Sequence, residues 1–287
     1  MKTIEDIRRV AVLGAGTMGN GIAQVVAQAG LDTMLYDITD ELAAQGFARI
    51  ADMLAKGIER GKVSAEQRDA VLGRISTTSD LTGACTGADA VIEAAPEKLD
   101  LKCRIFTEVA AAVSDDCLLA TNTSSLSVSK LAASIPQPQR FVGLHFFNPP
   151  PLMKLLEIVR ADVTSDACIE LARAFAGRLG KDPIVVRDAP GFASSRLGIA
   201  LGLEAMRMVE EGVASPADID KAMELGYRHP MGPLKLTDLV GLDVRLSIAE
   251  YLAAELDERR FDPPALLRQM VADGKLGKKT GEGFYSW

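Results

Sequence analysis

The apolar run Val10-Ala11-Val12-Leu13 passes directly into Gly14-Ala15-Gly16-Thr17-Met18-Gly19. Residues with helical spacing follow (Met18, Ile22, Val25, Val26, Ala29), and Gly30 ends the pattern. A strand, a glycine turn and a helix in this order constrain the N-terminal region to a strand-helix-strand unit with a ligand-sized gap at the turn. Gly14 permits the tight turn, Gly16 lets backbone approach a pyrophosphate at the helix N-terminus, and Gly19 lets helix and strand pack closely. Asp37 ends the second apolar run, 23 residues beyond Gly14. A carboxylate there accepts ribose hydroxyls and repels a 2′-phosphate, which points to NAD rather than NADP. FAD uses the same kind of loop, but no second flavin signature is present.

Short apolar runs continue at Thr33–Tyr36, Ala90–Ala94, Leu118–Thr121, Phe141–Leu144, Leu155–Val159 and Ile184–Val186, with helical patterns between them. The alternation predicts an α/β fold, an N-terminal Rossmann-type, doubly wound, mostly parallel sheet with helices on both faces. Beyond residue 188 strand patterns stop. Ser194–Gly212 and Leu246–Arg260 read as helices. Ser215-Pro216-Ala217-Asp218 reads as a capped helix start, and Gly226 closes that helix. The chain thus divides into residues 1–188, a nucleotide-binding domain, and 189–287, an all-helical C-terminal domain, with the boundary near Asp188-Ala189-Pro190-Gly191.

The net charge of −7 argues against general binding to nucleic acid or to a membrane surface. Four scattered cysteines, with no CxxC and no Cys/His cluster, argue against a disulfide framework or a metal site. No uncharged apolar stretch is long enough to span a bilayer, and the N-terminus carries no apolar signal region. A soluble cytoplasmic protein is expected.

The chain has only two histidines. His145 closes the run Phe141-Val142-Gly143-Leu144, and Phe146-Phe147-Asn148 and a triple proline, Pro149–Pro151, follow. Glu157 stands alone in the apolar run Leu155-Leu156-Glu157-Ile158-Val159, where a carboxylate is costly unless paired. His145 is the expected partner, with Lys154 and Arg160 as alternatives. An imidazole held by a carboxylate is suited to take a hydroxyl proton as a hydride leaves. Asn122 and Ser124, beyond Leu118–Thr121, and Asn148 supply hydrogen bonds for a substrate oxygen or a nicotinamide amide. Asn148 is alternatively a cap for the turn before Pro149. His229 reads as a turn or packing residue, and the Met206–Met223 stretch as core or interface.

These segments together resemble the L-3-hydroxyacyl-CoA dehydrogenase family, close to its short-chain 3-hydroxybutyryl-CoA branch. The likeness runs through Gly14–Gly19, Val91-Ile92-Glu93-Ala94 with Glu97 and Lys102, Asn122-Thr123-Ser124-Ser125, His145-Phe146-Phe147-Asn148-Pro149 and Lys154-Leu155-Leu156-Glu157. It continues through Pro190-Gly191-Phe192, His229–Pro233 and Gly277–Tyr285. The resemblance implies His145 as catalytic base, Glu157 as its partner, and Ser124 and Asn148 on the substrate side. It places Glu97 and Lys102 near the nicotinamide half of the cofactor, and makes the helical domain a dimer interface that closes over the cleft. A homodimer acting on an acyl-CoA follows.

One position departs from the family. Its usual Pro-Gly-Phe-x-x-Asn-Arg reads here Pro190-Gly191-Phe192-Ala193-Ser194-Ser195-Arg196, so Ser195 stands in for an active-site asparagine and lacks the amide's paired groups. Coenzyme A phosphates need local cations in so acidic a chain. Lys56 matches a family position near the substrate, and Arg60 and Lys62 follow it. Two rival readings stand beside this one: a dehydrogenase of a free hydroxy acid or sugar acid, and a non-catalytic NAD-binding relative.

Overall fold

The structure, a computed structural model, describes residues 2–256 and 259–287. The chain forms two compact units, Met1–Asp188 and Ala189–Trp287. The first holds one eight-stranded sheet: β1 (Arg9–Leu13), β2 (Asp32–Tyr36), β3 (Ile75–Thr78), β4 (Ala90–Glu93), β5 (Leu118–Thr121), β6 (Phe141–Phe146), β7 (Leu155–Arg160) and β8 (Asp182–Arg187). Their order is β3-β2-β1-β4-β5-β6-β7-β8. The first six strands run parallel, β7 is antiparallel to β6, and β8 is parallel to β7. The helices of this unit are α1 (Thr17–Gln28), α2 (Asp40–Glu59), α3 (Ala65–Leu72), α4 (Leu81–Cys85), α5 (Leu99–Ala112), α6 (Val128–Ala132) and α7 (Asp166–Arg178).

Alternation along the buried strands covers both faces. Val10, Val12, Ile92, Ala120, Val142, Leu144 and Ile158 pack in one cluster with Ile22 and Val26 of α1 and Phe175 of α7. Phe141 points the other way, edge-on to Phe106 of α5 at 4.6 Å. The change of strand direction follows from chain length. A parallel crossover needs a dozen or more residues, and only residues 147–154 join β6 to β7. Within that link a turn closes where Leu152 N and Met153 N donate to Pro149 O.

The second unit is helical: α8 (Ser194–Glu210), α9 (Pro216–Lys221), α10 (Pro233–Val240), α11 (Leu242–Leu256) and α12 (Ala265–Ala272). Its core is Ile199, Leu203, Met206, Ile219, Leu234, Leu242, Leu252, Phe261, Leu267 and Met270. Ser215 caps α9 by accepting from Asp218 N, with Pro216 in the first turn. The helix expected to run on to Gly226 instead gives way to a wider π turn over Ala222–Gly226. The helix expected over Leu246–Arg260 begins earlier, at Leu242, and is described to Leu256; Asp257 and Glu258 lie outside the described residues. Asp238 gathers the C-terminus, accepting from Phe284 N, Tyr285 N and Trp287 Nε1. No helix among the described residues is long and apolar enough to cross a membrane.

The nucleotide turn shows why its glycines differ. Gly14 has φ 102°, in the region that favours glycine. A Cβ on Gly19 would lie 1.6 Å from Gly14 O, whereas one on Gly16 would meet nothing within 4 Å. Gly19→Ala must therefore separate α1 from β1 and is expected to lower stability by about 1–3 kcal/mol. Gly16→Ala should leave the urea midpoint nearly unchanged while weakening NADH binding. Equal midpoints for the two variants would contradict this packing.

Candidate active site

In a parallel sheet, ligands gather beyond the carboxyl ends of the strands. Here β1, β4, β5 and β6 deliver Gly14, Glu93, Asn122 and Phe146 to one end. Antiparallel β7 enters at that end, so His145 and Glu157 become direct cross-strand partners. His145 Nδ1 lies 2.7 Å from Glu157 Oε2; Glu157 is wholly buried and His145 is 7% exposed. A carboxylate at this distance can accept a hydrogen bond from a proton held on Nδ1, an arrangement that would leave Nε2 as the basic nitrogen. The alternative partners are placed elsewhere: Lys154 Nζ is 3.5 Å from Gly180 O, and Arg160 pairs with Asp166 at 2.6 Å.

A second set of buried charges occupies the ends of β4 and β5. Lys102, on α5 and 1% exposed, has its Nζ 2.6 Å from Glu93 Oε1, 3.0 Å from Ala95 O and 3.4 Å from Glu97 Oε2. Three acceptors match its three protons. The other Glu93 oxygen accepts from Thr121 Oγ1 at 2.7 Å. Glu97 Oε1 accepts from Thr123 Oγ1 at 2.5 Å, Ser124 N at 2.9 Å and Ser125 N at 3.1 Å, and Ser124 Oγ is 3.4 Å away. Burial opposes ionisation of Glu97, but Lys102 and these donors outweigh it and hold its pKa below the ordinary value. Asn122 Oδ1 accepts from Phe146 N at 2.8 Å, which ties this loop to the strand bearing His145.

The nucleotide turn fits a dinucleotide. Gly16 is the N-cap of α1 and has no side chain to cover the helix end, and an added Cβ would meet nothing within 4 Å, so the first N–H groups of α1 are left without a side-chain cap. Asp37 Oδ2 accepts from Ala15 N at 2.7 Å and Oδ1 from Ile38 N at 2.7 Å, which orients the carboxylate and leaves lone pairs for a ribose. A cleft of 360 Å³ opens beside the turn. Thr17, Asn20, Arg49, Met53 and Asn148 are among its lining residues, with Pro149–Pro151.

Other expected residues stand apart. Lys56 is exposed on α2, one turn beyond the cleft-lining Asp52 with which it pairs at 2.7 Å. Arg60 follows the end of α2, and Lys62 lines a separate depression with Val63 and Arg74. Ser195 lies in the first turn of α8, in the second unit. Met206 is core of that unit, and His229 lies between the π turn and α10, its N–H donating to Met223 O. Glu93, Thr121 and Thr123 lie in segments the sequence singles out, but no individual role is expected of them. Glu93 carries the same signal as Glu157, a lone acid in an apolar run, here Val91-Ile92-Glu93-Ala94.

The NAD binding domain of 3-hydroxyacyl-CoA dehydrogenase, as a family model, matches residues 9–189, and that family's C-terminal domain matches 191–287. A 3-hydroxybutyryl-CoA dehydrogenase of Mycobacterium tuberculosis is 44% identical over 285 residues, covering 99% of both chains. The chain belongs to the 3-hydroxyacyl-CoA dehydrogenase family. It is an NAD-dependent enzyme of that family. A probable 3-hydroxybutyryl-CoA dehydrogenase of Bacillus subtilis is 43% identical and covers 98% of each chain. The crystal structure of (S)-3-hydroxybutyryl-CoA dehydrogenase from Ralstonia eutropha superposes with a TM-score of 0.94 at 42% identity, over 98% of this chain and 99% of that one.

Removing Lys102 leaves Glu93 buried and uncompensated. Lys102→Met is expected to cost about 3–5 kcal/mol in chemical unfolding; a loss below 1 kcal/mol would contradict the network. Glu97 has a folded pKa below its unfolded value near 4.5. It therefore stabilises the fold above pH 4.5, and that contribution is lost as the pH falls below 4.5 through the folded value. Glu97→Gln should flatten this part of the acid stability profile, and an unchanged slope would contradict it.

Proposed function

We propose that the enzyme interconverts (S)-3-hydroxyacyl-CoA and 3-ketoacyl-CoA, with 3-hydroxybutyryl-CoA as the preferred chain length. The observation that carries this reading is the buried His145–Glu157 contact at the carboxyl end of β6, the same end of the sheet at which β1 delivers the nucleotide turn. Bound NAD supplies the hydride acceptor at its nicotinamide ring. In oxidation, His145 Nε2 takes the hydroxyl proton as the hydride leaves the same carbon, and Glu157 stabilises the imidazolium. In reduction the same nitrogen returns the proton to the ketone oxygen.

The remaining roles follow the family likeness and the local geometry. Ser124 and Asn148 hydrogen-bond the substrate oxygen. Gly14–Gly19 and Asp37 hold the dinucleotide; Asn122 and Glu97 stand on the nicotinamide side, with Lys102 acting behind Glu97. Lys56 and Arg60 meet the coenzyme A phosphates. Ser195 offers a single hydroxyl to the substrate in place of the family's amide. Leu236, Leu239, Val240 and Val244 of the second unit are each 40–42% exposed, an apolar group that supports a homodimer. Size-exclusion chromatography with light scattering should give twice the mass of one chain. We assign the enzyme to the cytoplasm.

His145→Gln preserves an amide donor for Glu157 but has no basic nitrogen. It should lower turnover of acetoacetyl-CoA by about 10²–10⁴-fold or more with little change in NADH affinity. Near-normal turnover in this variant would overturn the assignment. Free acetoacetate and NADPH, run in parallel, should both be poor substrates; preference for the free acid would favour a hydroxy-acid dehydrogenase.

A further inference from the structure

Pro149, Pro150 and Pro151 have no N–H groups, so the turn that carries Asn148 has few donors with which to hold itself in place. Pro149 O is met within the turn by Leu152 N and Met153 N, but the carbonyls of Pro150 and Met153 take their donors from outside it. One residue supplies them: Lys181, between α7 and β8, places Nζ 2.5 Å from Pro150 O and 2.8 Å from Met153 O. Lys181 is 7% exposed, and no carboxylate pairs with it among the described residues. Burial, with Lys154 nearby, draws its pKa below the ordinary lysine value. A lysine ammonium is strongly hydrated, and burying it on two backbone carbonyls is costly for what a neutral side chain could fill with fewer penalties.

The opposite side of the turn is fixed by shape. Pro150 is buried against Gly21 of α1, where an added Cβ would lie 2.7 Å from Pro150 Cδ. Gly21 is four residues from Thr17, in the helix whose N-terminus meets the nucleotide turn. Asn148 is thus carried on a turn gripped between the cofactor helix and a buried cation.

We propose that Lys181 is a positioning residue: together with Gly21 it clamps the Asn148–Met153 turn and so sets where Asn148 meets the substrate. This rests on the substrate-side role proposed for Asn148. Lys181 touches no reacting atom. Its contribution passes through Asn148, so loss of the two together should be no worse than loss of Asn148 alone.

The test is a double-mutant cycle on the full-length enzyme with acetoacetyl-CoA and NADH, joined to hydrogen exchange. Lys181→Met should lower kcat/KM for acetoacetyl-CoA by about 10–100-fold, leave the NADH dissociation constant unchanged, and add nothing further in the Asn148→Ala background. Exchange of the Leu152 and Met153 amides should rise at least tenfold. Gly21→Ala, which displaces Pro150 from the other side, should give the same pattern and serves if Lys181→Met does not fold. Additive losses, or unchanged amide exchange, would overturn the clamp. A parent enzyme inactive on acetoacetyl-CoA would instead overturn the functional reading, and the exchange data would still decide the clamp.

Discussion

The buried hydrogen bond between His145 and Glu157 is the constraint around which the first unit is arranged. A carboxylate with no exposure inside an apolar strand is tolerable only with a close, oriented partner. That partner is available because β7 runs against β6, in a register that sets Glu157 directly opposite His145. A shift of one residue would turn Glu157 to the other face of the sheet, toward the cluster of Leu144, Ile158 and Phe175. The register that completes the apolar core is therefore the same one that sets the Glu157 carboxylate against the imidazole.

The same device recurs two strands away. Glu93 ends β4 and is neutralised by Lys102, which reaches back from α5 and also holds Glu97. Glu97 then collects the hydroxyl and amide donors of residues 123–125 on a single oxygen. Ser124 is exposed, yet its backbone is fixed from behind. Asn122 links that loop to Phe146. A chain of short contacts thus runs from the buried lysine to the strand of the histidine, so the polar groups at the strand ends rest on rigid elements rather than on free loops.

Much of this was legible in the sequence where composition and spacing carry the signal. The strand-turn-helix at residues 10–30 and the lone acid in Leu155–Val159 are of this kind. The strand β3 was not legible, because Ile75-Ser76-Thr77-Thr78 lies at a sheet edge and buries only Ile75 fully; an edge strand shows no apolar run. Strand direction is likewise invisible to periodicity, although the short link over residues 147–154 contains it in principle. Lys181 escaped because its partners are backbone carbonyls, which leave no trace in residue types. The π turn over Ala222–Gly226 has no local signature that separates it from an ordinary helix end.

In the proposed mechanism, Glu157 holds a proton of His145 on Nδ1 and leaves Nε2 as the base. Nitrogen-15 NMR of histidine-labelled enzyme tests it directly, since only His145 and His229 contribute signals. The account predicts that, at the pH of turnover, the His145 ring carries its proton on Nδ1, and that Glu157→Gln redistributes the proton between the two nitrogens. A wild-type His145 protonated on Nε2 alone, or unaffected by Glu157→Gln, would contradict it.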